Sequence, residues 1–383
     1  MMKIIGFSAL RKQNAVFEQK LKGGQKMLNI AQEAVNGAKT YGINFDELKA
    51  GKASIKVVGC GGGGSNMVTW LYNKGIQGAT VYAVNTDALH LSVSKADEKV
   101  LIGKELTRGL GCGGFPEKGR EAAKEALSEL KRCIAGADMV FVVAGMGGGT
   151  GTGAAPVVAQ LAKESGSVTI GVVTMPFNNE RARIDKAEFG LQQLRDATDT
   201  VIVIDNNRLV EIAGNLPIVQ AFAVANELVS TMIKGIVETI TIPSLINLDY
   251  ADVAAIMKAG DVAVIGIGES DTQNRVEEAV KQALSHPLLD VDYTGAAGAL
   301  IHVICGEDLK LDELNNVGEM ITSNLAADAQ VIMGARINPE FNGKVRVITI
   351  LTGVKSPYVL GRNSPEPMSH KPSVSDLGID VYG

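Results

Sequence analysis

The sequence predicts a doubly wound, parallel-sheet α/β domain, joined by a long helix to a second, smaller α+β domain. Three observations predict it. Continuous apolar strands alternate with helical stripes from residue 54 onward. Glycine gathers in three short segments beside those strands: 59–64, 109–114 and 145–153 hold 15 of the chain's 44 glycines. A helical pattern over 217–241 then separates this region from a second set of strands and helices. A chain of 383 residues is long enough for two domains.

Composition narrows the function classes. Hydrophobic residues make up 46% and charged residues 21%, ordinary values for a globular protein. Lys plus Arg total 37 against 42 for Asp plus Glu, a net charge of −5, which argues against a nucleic-acid partner. Aromatics at 4% are too few for base-stacking platforms. Cys60, Cys112, Cys133 and Cys305 form no C-x-x-C pair and suggest no disulfide framework. The histidines, His90, His286, His302 and His370, lack metal-ligand spacing, so no metal site is expected on the protein itself. No apolar run reaches the roughly 18–20 residues of a membrane span. Residues 1–10 make a poor secretory signal. A reduced, cytoplasmic protein without direct membrane insertion is expected.

The elements follow in order. Met27, Ile30, Ala31 and Val35 mark a helical stripe in an extension over 1–50. The strand at 55–58 runs into the first glycine segment, and Met67, Trp70 and Leu71 give the face of the next helix. Strands are expected at 80–84, 139–144, 168–174 and 200–204, with a helix carrying Val157, Val158, Leu161 and Ala162 after the third glycine segment. Such continuous apolar strands are covered on both faces, and their ligands bind beyond the strands' carboxyl ends. The domain assigned to 51–216 ends at the long helix over 217–242, about 35 Å in length, which Pro243 stops. Strands at 262–267, 299–304 and 345–352, with helices at 273–285 and 311–324, build a domain over 243–354. Residues 355–383 are polar and proline-containing, a tail without a core signal. Its mildly apolar end, 376–382, is either a partner-binding motif or plain disorder.

Glycine loses more backbone entropy on folding than any other residue, about 0.5–1 kcal/mol relative to alanine. Three clusters therefore need an offsetting gain. The first, Gly59 to Asn66, is ambiguous. Gly59, Gly61 and Gly64 satisfy G-x-G-x-x-G, and Asp87 at the end of the next strand would serve as the ribose acid of a dinucleotide fold. The third, Gly147-Gly148-Gly149-Thr150-Gly151-Thr152-Gly153, breaks the tie, because a dinucleotide fold does not call for a second segment so rich in glycine and threonine. Neither segment is a Walker loop, since no lysine lies inside. Phosphates would be held by main-chain amides, helix N-termini and threonine hydroxyls, each bond to a charged group being worth about 1.5–3 kcal/mol.

The run 147–153 resembles the signature of the tubulin/FtsZ family. Further family motifs follow: Asn85-Thr86-Asp87, Thr107 to Gly111 with Gly113, Gly114 and Pro116, Pro176-Phe177 with Glu180, Asn206 to Leu209, Ala221 to Asn226, and Asn247 to Asp252. The resemblance spans about 54–353. It is to prokaryotic cell-division members, and the extension is similar to that of archaeal ones. It implies a GTP-binding domain in which Gly61, Gly62, Gly63, Gly64, Ser65, Asn66, Asn85, Asp87, Gly111, Gly113, Gly114 and the whole run 147–153 surround GTP or GDP. Thr150 and Thr152 would add hydroxyl donors to the phosphates. Glu180, Arg183 and Asn206 would touch the ribose side. Phe222 would stack on guanine, with Asn226 and Asn66 bonding its edge, although on composition alone Phe222 reads as core. Mg2+ would be held mainly by phosphates and water.

The resemblance also implies self-assembly into a head-to-tail filament at a midcell division site. Asn247, Asp249 and Asp252 would complete the active site of the next subunit, and the tail would contact division-ring and membrane-tether proteins. Carboxylates three residues apart lie on one helix face, and a bound triphosphate needs a positioned water. The competing role is helix capping, with Asp249 as N-cap and Asp252 in the first turn. Three positions depart from the family pattern: Phe115 in place of Asn, a 180–183 spacing one residue short, and Asp205 in place of Pro. The first two motivate an alternative, a non-dividing filament protein with little or no hydrolysis.

Overall fold

Six parallel strands form the sheet that carries the glycine segments. The computed structural model describes residues 53–354, apart from Pro243, Asn247, Gly260, Asp261 and 286–292. The expected extension, the tail and the Pro243 stop therefore lie outside the described residues. In chain order, β1 (Ile55–Cys60) leads into α1 (Gly61–Lys74) and β2 (Ala79–Asn85) into α2 (Ala88–Val93). After β3 (Glu98–Leu101) come α3 (Lys104–Thr107), α4 (Pro116–Glu125) and α5 (Leu127–Ile134). β4 (Met139–Gly145) enters α6 (Thr150–Glu164), and β5 (Val168–Met175) enters a 3-10 turn (Asn178–Glu180) and α7 (Ala182–Ala197). β6 (Thr200–Asp205) enters α8 (Asn206–Ala213). The sheet order is β3-β2-β1-β4-β5-β6. The winding reverses between β1 and β4, where Cys60 stands in register with Ala144. A crevice opens at such a point, and both glycine-rich turns leave from it.

The long helix α9 (Ile218–Thr241) follows. Val224, Leu228, Met232, Ile233 and Ile236 on its buried stripe share one core with Val57, Phe141 and Ile202 of the first sheet and with Ile265, Leu300 and Ile348 of a second. That second sheet comes after α10 (Tyr250–Ala259) and comprises β7 (Ala263–Ser270), β8 (Gly298–Cys305), β9 (Gln330–Ile337) and β10 (Val345–Thr352), with α11 (Arg275–Leu284) and α12 (Leu311–Thr322). Its order is β7-β10-β8-β9, with β10 antiparallel to β7 and β8, and β8 parallel to β9. Among the described residues no helix is long and apolar enough to cross a membrane.

One polar contact ties the central helix to the second sheet. Thr239 Oγ1 donates to the Gly235 carbonyl at 2.7 Å and lies 2.7 Å from His302 Nδ1 on β8. The hydroxyl's single proton is engaged, so His302 donates through Nδ1–H and leaves Nε2 as a buried nitrogen without a partner. Burial, with the nearby Arg336 charge, pushes the imidazole from 6.5 down to about 4. The folded state thus binds this proton less readily than the unfolded chain. The stability contribution is complete above pH 6.5 and is lost as pH falls toward 4, by about 1.4 kcal/mol per pH unit. In urea titrations at pH 6.5 and 5, His302→Gln should lose about 2 kcal/mol less than the parent between the two. An equal loss in both proteins would remove His302 from the account.

Candidate nucleotide site

The glycine segments are less loop-like than the sequence suggests. Cys60 ends β1 and α1 begins at Gly61, so Gly61 to Asn66 form a helical first turn and a half. The third segment likewise divides into a turn, 147–149, and the start of α6 at Thr150. The amides aimed at the crevice are therefore those that open a helix, which have no partner inside it. Together with the aligned peptide dipoles they attract an anion.

These two helix starts, the second glycine segment and α9 enclose a cavity of about 650 Å³. Of the residues expected at the site, Gly62, Gly63, Asn66, Asn85, Asp87, Gly111, Gly114, Gly148, Gly149, Thr150, Gly151, Glu180, Arg183, Asn206, Phe222 and Asn226 line it. Gly61, Gly64, Ser65, Gly113, Gly147, Thr152 and Gly153 do not, and several of these glycines serve packing instead. A Cβ on Gly64 would sit 2.4 Å from the Val143 carbonyl oxygen, and one on Gly153 2.0 Å from that of Pro116. These glycines let α1 approach β4 and α6 approach α4. Ser65 is fully buried. Thr152 does not line the cavity; its hydroxyl is buried and accepts the Gly147 N–H at 2.9 Å, which ties the turn to the helix start.

Gly62 and Gly148 are different. A Cβ at either would meet no atom within 4 Å, and neither has a left-handed φ. Neither packing nor backbone conformation requires glycine there, yet both line the cavity. Close approach of a ligand to the bare main chain is what a side chain would obstruct.

At the other end of the cavity Phe222 is 42% exposed, so it is not core. Its ring meets Phe177 edge-on, with centroids 6.1 Å apart and planes at 70°. Asn226 lies one helical turn further along α9. Glu227 clamps α9 to α1 by accepting the Trp70 indole N–H at 2.7 Å and pairing with Lys74. Burial pushes the Glu227 carboxyl up, but these hydrogen bonds outweigh it and hold the group below its usual range. Asp87 caps α2, its Oδ1 accepting the His90 N–H at 2.9 Å. Glu180 accepts the Phe177 N–H at 3.0 Å and pairs with Arg183. Between them Arg181 stands at φ 37°, a positive value costly for a side-chain-bearing residue. Phe115 lies off the wall, between the ammonium groups of Lys118 and Lys186 at 5.3 and 5.4 Å. Phe177, Thr174, Cys112 and His90 line the cavity without having been assigned a contact from sequence. Only Phe177 carried a signal, through its place in the Pro176-Phe177 motif.

The acids Asp249 and Asp252 do not line this cavity. They cap α10 reciprocally: Asp249 Oδ1 accepts the Asp252 N–H at 2.8 Å, and Asp252 Oδ2 accepts the Asp249 N–H at 3.4 Å. Asp249 is exposed and Asp252 half-buried. Asn247 lies outside the described residues. The four cysteines are buried free thiols, and burial pushes that of Cys60 up to about 12, far from nucleophilic use.

Comparison with known proteins agrees with this geometry. The family model for the tubulin/FtsZ GTPase domain matches residues 54–214, and that for the FtsZ C-terminal domain matches 261–355. The chain belongs to the tubulin/FtsZ family. It is 53% identical to cell division protein FtsZ 2 of Methanocaldococcus jannaschii, over 91% of this chain and 92% of that one. It is 52% identical to cell division protein FtsZ 2 of Halobacterium salinarum, over 88% and 86%. Among solved structures, an FtsZ dimer from M. jannaschii superposes with a TM-score of 0.76 at 51% identity, over 81% of this chain and 90% of that one. As a tubulin/FtsZ protein with the family's GTPase domain, the chain is a GTPase with a guanine-nucleotide site.

Proposed function

We propose that this GTPase works in cell division as a head-to-tail filament whose active sites are each divided between two copies. One observation carries the reading. Among the described residues, the carboxylates on the cavity wall are Asp87 and Glu180, and both are already hydrogen-bonded within their own chain. Attack on a γ-phosphate needs an acceptor that orients the water. Asp249 and Asp252 stand outside the wall with a fixed mutual geometry, ready to meet a neighbour's cavity. In this reading the amides of α1 and α6 hold the phosphates, Phe222, Asn226 and Asn66 take the guanine, and Glu180, Arg183 and Asn206 contact the ribose. Mg2+ rides on phosphate oxygens and water, and Asn247 joins the two acids. Association that repeats without closing gives a filament, in keeping with the dimer formed by the M. jannaschii relative. The names of the relatives support a cytoplasmic place at the midcell division ring, with residues 355–383 engaging ring and tether proteins. The alternative with little hydrolysis draws on Phe115 and the short 180–183 segment. Phe115 stands off the wall, and Glu180 and Arg183 remain on it, which favours the hydrolytic reading.

The test is phosphate release against protein concentration. Turnover per molecule should be near zero below a threshold and rise above it, in step with GTP-dependent pelleting. A rate per molecule that holds constant down to high dilution would rule out the divided site.

A further inference from the structure

At the cavity wall and just behind it, side chains from three separate segments meet. The Cys112 thiol, in the second glycine segment, donates to Thr86 Oγ1 at 3.4 Å. Thr86 Oγ1 lies 2.6 Å from Thr150 Oγ1 at the start of α6. Thr86 and Cys112 are 0% and 4% exposed, and Thr86 does not reach the cavity wall, whereas Thr150 does. A hydroxyl has one proton and two lone pairs. Either hydroxyl can donate across that contact; donation by Thr86 gives its buried proton a partner while a lone pair takes the thiol proton. Thr150 then accepts, and its own proton must go elsewhere. Thr150 is the first residue of its helix, so no preceding turn offers the carbonyl that a threonine within a helix would use. The cavity remains.

We propose that Cys112, Thr86 and Thr150 form a directed relay of donors, thiol to hydroxyl to hydroxyl, that aims the Thr150 proton at a phosphate oxygen of the bound nucleotide. The proposal rests on the nucleotide reading of the cavity given above. Thr86 is a positioning residue that acts through Thr150, and Cys112, which also lines the cavity, directs its thiol proton at Thr86. Each bond polarises the next, so the last donor is stronger than an isolated hydroxyl. Without the Cys112 thiol, Thr150 is free to turn its proton back toward Thr86; without the Thr86 hydroxyl, Thr150 loses the bond that polarises it. Thr86 also has a scaffold role, because its carbonyl accepts the Gly111 N–H and the Thr107 hydroxyl, both at 3.2 Å. The test must separate the two roles.

GTP and GDP dissociation constants are measured by competition against a fluorescent GTP analogue. The proteins are the parent, Thr86→Val, Thr86→Ser, Cys112→Ala, Thr150→Val and the double variant Thr86→Val with Thr150→Val. Thr86→Val should weaken nucleotide binding about tenfold and Cys112→Ala about two- to threefold. Thr86→Ser, which keeps the hydroxyl, should recover most of the affinity. Once Thr150→Val has removed the last donor, Thr86→Val should add less than about twofold. The same tenfold loss in both backgrounds would mean a scaffold role alone and overturn the relay, as would parent-like binding by Thr86→Val. If Thr86→Val does not fold, Cys112→Ala with and without Thr150→Val completes the same cycle. A parent that fails to bind GTP would instead overturn the nucleotide reading, so the two failures are distinct.

Discussion

Asp252→Ala should bind GTP as tightly as the parent and hydrolyse it about 100-fold more slowly, the low end of what a positioned proton acceptor contributes. Binding is preserved because Asp252 does not line its own chain's cavity. Turnover falls because the water between two copies loses the group that orients it. A folding artefact is separable: the Asp252 carboxylate accepts only one long capping bond, the Asp249 N–H at 3.4 Å, so loss of the cap should cost about 1 kcal/mol. Asp252→Asn, which retains an oxygen acceptor for the cap but no charge, should be equally slow and more stable. Turnover by Asp252→Asn within a few-fold of the parent would show that the carboxylate is not the acting group.

Gly148→Asp should weaken GTP binding by at least about 100-fold while leaving the nucleotide-free protein as stable as the parent. The Cβ at 148 meets nothing within 4 Å and the backbone is not left-handed, so the protein accommodates the side chain. Removing a glycine also limits the unfolded chain, and a carboxylate just ahead of α6 suits that helix's positive end. The same carboxylate would face the phosphates, and two like charges about 4 Å apart near a protein surface repel by roughly 4 kcal/mol, enough for the expected loss. Gly153→Ala provides the opposite pattern. Its Cβ would lie 2.0 Å from the Pro116 carbonyl oxygen, so overpacking should cost about 1–3 kcal/mol. Nucleotide titration and thermal melting on both variants read the two effects separately. Equal binding by Gly148→Asp and the parent would mean that the cavity does not hold phosphates there.

Much of the fold was legible because burial leaves a strong pattern. β1, β4 and β5 are covered on both faces, and their apolar runs, unbroken in β4, cannot be mistaken for surface. The strands absent from the sequence reading are edges. Glu98–Leu101 has four residues and only Val100 fully buried, and Gln330–Ile337 buries only Gly334 and Ala335. The site was legible where glycine lines the cavity with no packing or backbone reason for it, as at Gly62 and Gly148. It was not where the same residue serves packing, as at Gly64 and Gly153, because sequence cannot distinguish a bare amide facing a cavity from one pressed against a neighbouring helix. The bond from the Gly147 amide to Thr152 was not legible either, because it is fixed by the turn's geometry and not by spacing. The Cys112–Thr86–Thr150 contacts join residues 26 and 64 positions apart and leave no periodic trace.

The separation of cavity and acids onto different parts of one chain has a further effect on any linear array. An array of this kind has one fewer complete site than it has subunits. Under the proposed division of the site, the molecule whose cavity faces open solvent at one tip would lack the neighbour that completes it, so its triphosphate would survive while those behind it are spent. That tip renews its intact nucleotide with every arrival, and how long a strand lasts depends on whether newcomers dock faster than the interior ages.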